Sequence, residues 1–275
     1  MTIDLVKVND YIDTFAALID EKKTNEYKGK LHVGVDLGTA NIVLAVVDES
    51  GQPVAGALQP ASVVRDGLVV DYVEAVEIVK ELKGQVEGLL GTTLTHAATA
   101  VPPGTSVGNM KAFSNVVESA GMEMKRIVDE PTAAAAVLGI SEGAVVDVGG
   151  GTTGISILKN NQVVYTADEP TGGTHMTLVL AGNYKLSFEE ADKLKKDPNR
   201  QREVFPVIRP VIEKMASIVN RHVSRWDLDQ IYVVGGASCF DEFEKVFYEE
   251  IGIDIIKPAH PLLITPLGIA LHSTK

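Results

Sequence analysis

Two short segments, far apart in the chain, each end an apolar strand in an Asp and follow it with a glycine turn. The first is Val33-Gly34-Val35-Asp36-Leu37-Gly38-Thr39-Ala40-Asn41-Ile42-Val43-Leu44. The second is Ala144-Val145-Val146-Asp147-Val148-Gly149-Gly150-Gly151-Thr152-Thr153-Gly154-Ile155-Ser156-Ile157-Leu158. A turn of this kind presents backbone N–H groups beside a carboxylate. The amides suit phosphate oxygens and the carboxylate suits a hydrated Mg²⁺. Two such turns facing each other would grip a nucleoside triphosphate from both sides. Three adjacent glycines after Asp147 weaken a fold through backbone entropy unless something must approach the backbone closely. A lone Asp-x-Gly-Thr turn is weaker evidence, because tight hairpins use the same residues for geometry alone. Gly235-Gly236 follows the apolar run Ile231–Val234, and Glu130 stands just before Pro131. Taken singly, these read equally well as a packing turn and as an acid favoured at a helix start.

Two common phosphate-binding devices fail on context. Gly149-x-Gly151-x-x-Gly154 matches the dinucleotide fingerprint, but there the glycines must open a helix. Here Ile155, Ile157 and Val163-Val164 continue in β alternation. No Walker A sequence occurs in the chain, so a standard P-loop is excluded.

The chain has 275 residues, 45% hydrophobic and 23% charged, enough for one large or two modest cores. Its net charge of −12 disfavours nucleic acid and anionic membrane surfaces. No apolar run approaches a membrane span, and the N-terminus lacks the parts of a signal peptide. Cys239 is the single cysteine, which excludes an internal disulfide and fits a reducing cytosol. The six His residues are scattered without metal-type spacing.

The elements that must position the two turns follow from periodicity. From about Val8 to Lys23, Ile12, Phe15, Ala16, Leu18 and Ile19 recur at helical spacing, and a polar linker follows to Lys30. This predicts an accessory helix, either packed on the body or docking a partner. Strands are expected at Val33–Val35, Ile42–Val47, Pro53–Leu58 and Ser62–Val70, the last turning at Arg65-Asp66-Gly67. A helix at Val73–Leu90, a strand at Ala97–Val101, a helix at Ser106–Ala120 and a strand at Lys125–Asp129 lead to a helix opened by Pro131. The second half repeats this order: the Asp147 hairpin, a strand at Val163–Ala167, a helix from Gly172-Gly173, then helices at Leu186–Lys196 and Val207–Val223. Strand Ile231–Val234, helix Phe240–Glu250 and a short helix Thr265–Ser273 close the chain. Two hairpin-plus-helix halves imply duplication around a cleft, the default place for a ligand. The expected division is 1–30 as accessory helix and linker, 31–140 plus 262–275 as lobe I, and 141–261 as lobe II.

The four segments together, in this order, resemble the actin-like ATPase superfamily, which contains sugar kinases, actin, MreB and DnaK-type chaperones. Val33–Val46 resembles its first phosphate motif and Val145–Leu158 its second. Thr99–Gly139, with Asp129-Glu130-Pro131-Thr132-Ala133-Ala134-Ala135, is similar to the connecting segment of DnaK-type chaperones, and Tyr232–Ser238 to the adenosine motif. Arg65 to Tyr72 is similar to a stretch of MreB. The compact length and added N-terminal helix most resemble the chaperone-like proteins of bacterial ethanolamine-utilisation operons. The resemblance implies an α/β, ribonuclease H-like fold of two duplicated lobes with reduced upper subdomains, and ATP or ADP with Mg²⁺ as cofactors. Asp36 and Asp147 would then hold Mg²⁺ through waters, and Glu130 would orient the attacking water. Gly38, Thr39, Ala40, Asn41, Gly149, Gly150, Gly151, Thr152 and Thr153 would surround the phosphates, and Gly235, Gly236, Ala237 and Cys239 the adenosine. Protein partners are expected among ethanolamine-utilisation or microcompartment proteins, in the cytoplasm or at a microcompartment.

Departures from the family pattern bear on rate. Relatives commonly carry an acid two residues past the motif Thr, where this chain has Gly154. Cys239 stands where DnaK-type chaperones stack an Arg on the base, and their catalytic Lys has no clear equivalent. The insertions before Ser62 and between Asp197 and Pro206 are trimmed, so nucleotide should be more exposed. Nothing follows Lys275, so an independent peptide-binding foldase is not expected. Three functions stay open: a slowly hydrolysing assembly ATPase, a catalytically silent nucleotide-binding scaffold, and a small-molecule kinase of the same fold.

Overall fold

The computed structural model describes residues 4–65 and 67–273; Asp66, in the middle of the expected Arg65–Gly67 turn, lies outside them. The first half runs α1 (Leu5–Asp20), β1 (His32–Leu37), β2 (Asn41–Val47), β3 (Pro53–Pro60), β4 (Val64–Arg65), β5 (Leu68–Val69), α2 (Tyr72–Leu90), β6 (His96–Val101), α3 (Val107–Ser119), β7 (Glu123–Asp129) and α4 (Glu130–Leu138). The second runs β8 (Gly143–Val148), β9 (Thr153–Lys159), β10 (Gln162–Glu169), α5 (Gly173–Tyr184), α6 (Phe188–Lys196), α7 (Gln201–Val223), β11 (Gln230–Val234), α8 (Phe243–Ile251), β12 (Asp254–Ile256) and α9 (Ile264–His272).

The strands form two five-stranded sheets of one topology, β3-β2-β1-β6-β7 and β10-β9-β8-β11-β12. In each, the first three strands are an antiparallel meander and the last two run parallel to the strand that carries the Asp. β1 and β8 are buried along almost their whole length and so read as continuous apolar runs. Between the sheets lies a shared core. Ala134 and Leu138 of α4 and Leu267 and Ala270 of α9 meet Val43 and Ala45 of β2, and Val145 and Val234 of β8 and β11. The two halves therefore abut through a pair of helices, with the Asp-bearing turns at one rim.

Local signals explain most boundaries. Asp71 caps α2 by accepting from the Glu74 amide, and Asp129 caps α4 by accepting from Thr132 with Pro131 in the first turn. Ser187 and Glu190 make a reciprocal capping box at α6. Of the two readings of α1, packing is the one found. Ile12 and Phe15 are fully buried, and the Tyr11 hydroxyl donates to Gly51 O at 2.7 Å.

Within 62–70 the strand residues are β4 and β5, two residues each, and they pair antiparallel as the expected turn between them requires. Two helix starts need correction, and one strand was not foreseen. α7 begins at Gln201, six residues before Val207, with Pro206 and Pro210 inside it. Each proline deletes a helical N–H bond, but Val204, Phe205, Ile208 and Ile212 form one buried stripe whose burial outweighs the loss. α8 begins at Phe243 instead of Phe240, because Gly236–Ser238 is a 3-10 turn and Phe240 plugs into the core before the helix starts. The three-residue β12 was not expected from the sequence, being too short to display a period.

Candidate functional site

The two turns are built alike. Asp36 lies near the end of β1, and the Gly38 amide closes the hairpin onto Asn41 O at 3.1 Å; Asp147 lies near the end of β8, and the Gly149 amide closes onto Thr152 O at 2.9 Å. The first amides of α5 are consumed by the second turn: Gly173 donates to Gly149 O at 3.0 Å and Thr174 to Gly150 O at 2.8 Å. Among the described residues, the amides of Thr39, Ala40, Gly150 and Gly151 take no protein acceptor. They are donors available to an anion. The turns touch: a methyl built on Gly150 would stand 3.0 Å from Thr39 Cβ and 3.4 Å from Ala40 Cβ. A side chain at Gly150 would wedge them apart.

Beneath the turns opens a cavity of about 320 Å³ between the halves. Its wall includes Asp36, Gly38, Thr39, Ala40, Asn41, Glu130, Asp147, Gly149, Gly150, Gly151 and Thr152 on the turn side, and Gly235, Gly236, Ala237 and Cys239 on the far side. Thr153 is the exception. Its side chain is fully buried away from the cavity and donates to Thr171 O at 2.7 Å, because β9 has begun and alternation turns it into the core.

Three acids share the floor. Burial, reinforced by Asp147, pushes the Asp36 carboxyl up to about 7. Burial also raises Asp147 to about 6, while a 2.5 Å hydrogen bond from the Thr265 hydroxyl works against it. Glu130 is raised well above the usual range by burial and by the negative charge of Asp147 and Asp36. Mutually repelling, desolvated carboxylates fit a hard cation. Among the described residues no three acids, His or Cys are close enough to ligate one ion directly.

Two residues missed in the sequence, Thr265 and Lys195, complete the wall, and a third, Asp168, lies beside Gly154. Thr265 of α9 reaches across the floor to Asp147. Lys195 of α6 lines the cavity, donates to Gly173 O at 3.1 Å and Thr177 Oγ1 at 2.7 Å, and pairs with Asp192 at 2.8 Å. Burial pulls its ammonium below the usual lysine range, against the pull of Asp192. The one available signal was the acid-then-base charge order along α6. Asp168 of β10 stands directly opposite Gly154 in the β9–β10 pair, on the face a side chain at 154 would occupy. Burial raises it to about 6 against a Thr152 hydrogen bond. The room at Gly154 is taken by Pro131 and Pro103, which lie 3.1 and 3.3 Å from where a methyl on that glycine would stand. The carboxylate missing from β9 thus has a neighbour on β10. Cys239 opens on the cavity, and its crowded surroundings push the thiol up.

Twin sheets of one topology, an interlobe helix pair and apposed Asp–glycine turns define an actin-like protein. The family description "Type IV pilus assembly protein PilM" matches residues 131–265, and "MreB/Mbl protein" matches residues 54–189. The crystal structure of MreB 5 of Spiroplasma citri bound to AMPPNP superposes with a TM-score of 0.70 over 88% of this chain and 95% of that one, at 17% identity, a likeness of fold. Much nearer are proteins named ethanolamine utilization protein EutJ. That of Salmonella typhimurium (strain LT2) is 45% identical over 241 residues, 87% of this chain and 85% of the relative. The crystal structure of the one from Carboxydothermus hydrogenoformans is 52% identical with a TM-score of 0.93, covering 98% and 99% of the two chains. The chain belongs to the EutJ family.

Proposed function

We propose that this protein binds Mg-ATP and Mg-ADP in the interlobe cleft, hydrolyses ATP slowly, and acts as a chaperone-like or assembly factor for enzymes of ethanolamine utilisation, in the cytoplasm or at a microcompartment. The observation that carries the reading is the contact of Gly150 with Thr39 and Ala40 above Asp36 and Asp147. Donors from both halves converge there over acids that suit a hydrated cation.

The free amides of Thr39, Ala40, Gly150 and Gly151 donate to β- and γ-phosphate oxygens. Asp36 and Asp147 would hold Mg²⁺, which would neutralise the polyphosphate charge when bound. Glu130, made more basic by burial and its acidic neighbours, orients the attacking water and accepts its proton. Lys195 adds a positive charge on the lobe II wall, and Gly235, Gly236 and Ala237 let adenosine lie against backbone. Catalysis is then positioning and charge stabilisation without a covalent intermediate. With lobe I taken as 31–140 plus 262–275 and lobe II as 141–261, a ligand held by both halves changes the angle between them, and so the surface offered to a partner.

Calorimetry with Mg-ATP tests this: Asp36→Ala and Asp147→Ala should each weaken binding by roughly tenfold or more. Unchanged affinity in both defeats the reading. Gly154 and Cys239 favour a second reading, a scaffold for which nucleotide is a structural ligand. Phosphate release that disappears in Glu130→Gln rejects that alternative.

A further inference from the structure

The shared topology makes β3 and β10 equivalent outer strands, yet among the described residues only one is covered. Along β3, the Asn25 amide donates to Val54 O at 2.9 Å and the Asn25 side chain to Pro53 O at 3.0 Å, with α1 and α2 both packed on the strand. The N-terminal linker thus bonds to this edge through Asn25. Among the described residues, β9 alone runs beside β10.

β10 is eight residues long, and Val163 and Val164 on it are 37% and 46% exposed. A bulge falls between Val163 and Tyr165, after which Tyr165 to Glu169 run in unbroken register with β9. Natural sheets usually blunt an edge of this length or cover it. This one is instead braced from one side. The Tyr165 hydroxyl and His222 Nδ1 are 2.7 Å apart, and His222 Nε2 lies 2.7 Å from Glu169 Oε1. The Arg225 guanidinium lies over the Tyr165 ring at 4.4 Å, and Lys159 Nζ over the Trp226 ring at 5.4 Å. Bracing reduces the ordering cost of adding a strand. Lys159 and Arg225 are exposed, and among the described residues neither has an ion-pair partner, on a chain of net charge −12.

We propose that β10 is a docking edge at which an extended segment of another protein adds as a sixth strand. Main-chain hydrogen bonds supply the pairing, β-branched side chains of the segment lie against Val163 and Val164, and its acidic side chains meet Lys159 and Arg225. A second copy of this chain is the poorer occupant, because it brings another body of charge −12 and its own cations to the same edge.

Selection of a phage-displayed library of short random peptides on the full chain tests this. The expected winners alternate β-branched and acidic residues, slow amide exchange at Tyr165–Glu169, and lose about tenfold or more in affinity against the double variant Lys159→Glu, Arg225→Glu. Val164→Asp, an exposed site that leaves the cations in place, should weaken the same peptides without altering thermal unfolding. An empty selection, winners indifferent to both variants, exchange protection confined to the cleft, or a dimer in sedimentation abolished by Val164→Asp would each overturn the proposal.

Discussion

Gly235 links the far wall of the cleft to the acid on its floor, which makes Gly235→Ala an informative perturbation. Its backbone sits at φ +90° and ψ 154°, a combination close to one that side-chain-bearing residues hardly enter. A methyl there would collide with Asp147 Oδ1 and stand 2.5 Å from Val148 O. The dihedral strain costs roughly 1–3 kcal/mol, and overpacking against main chain adds roughly 1–3 kcal/mol. At about 2–4 °C per kcal/mol for proteins near this size, the melting temperature should fall by roughly 5–20 °C. Gly236→Ala is the control, because its methyl would meet the end of the Leu262 side chain at 3.1 Å, a group that can turn aside, with no left-handed backbone to strain. Circular dichroism melts of the two variants, followed by Mg-ATP calorimetry well below either melting point, separate stability from binding. Gly236→Ala should melt within a few degrees of the parent, while the folded fraction of Gly235→Ala should bind nucleotide more weakly because Asp147 has been displaced. A Gly235→Ala protein that melts with the parent and binds equally well would refute the argument.

Thr153→Val removes the 2.7 Å bond to Thr171 O from a buried site, so stability should drop by about 1–3 kcal/mol. Nucleotide affinity should stay within about twofold in calorimetry, whereas a phosphate-side role for Thr153 would show as a larger loss. The carboxyls of Asp36 and Asp147 sit at about 7 and 6 in the ligand-free fold, against 3.8 for an ordinary Asp. Between about pH 4 and 7 the native state therefore holds protons that the unfolded chain releases. Stability from these groups is complete below about pH 4, falls as pH rises through the window, and levels off above about 7. Urea titrations at both ends should show that loss in the parent and a smaller one in Asp36→Asn; equal losses would contradict it.

The paired turns were legible in the sequence because their requirements are local. An Asp at the end of a buried strand, followed by glycines, constrains the backbone whatever surrounds it, and Asp36, Asp147 and Gly149 to Gly151 could be named on that ground. Pro131 marked the start of α4 for the same reason, since its fixed φ suits the first helical turn. The register by which Thr152 faces the cavity and Thr153 faces the core depends on where β9 begins, one residue later than the glycine run suggests. α7 could not be started correctly from Pro206 and Pro210, because local propensity opposes a helix that its buried stripe enforces. Thr265 and Lys195 lie far in sequence from the acids on the cavity floor, and nothing in their immediate neighbours distinguishes them from ordinary helix residues. Only the folding of two sheets around α4 and α9 brings them to one cavity, since contact across a cleft is a property of packing and leaves no period in the chain.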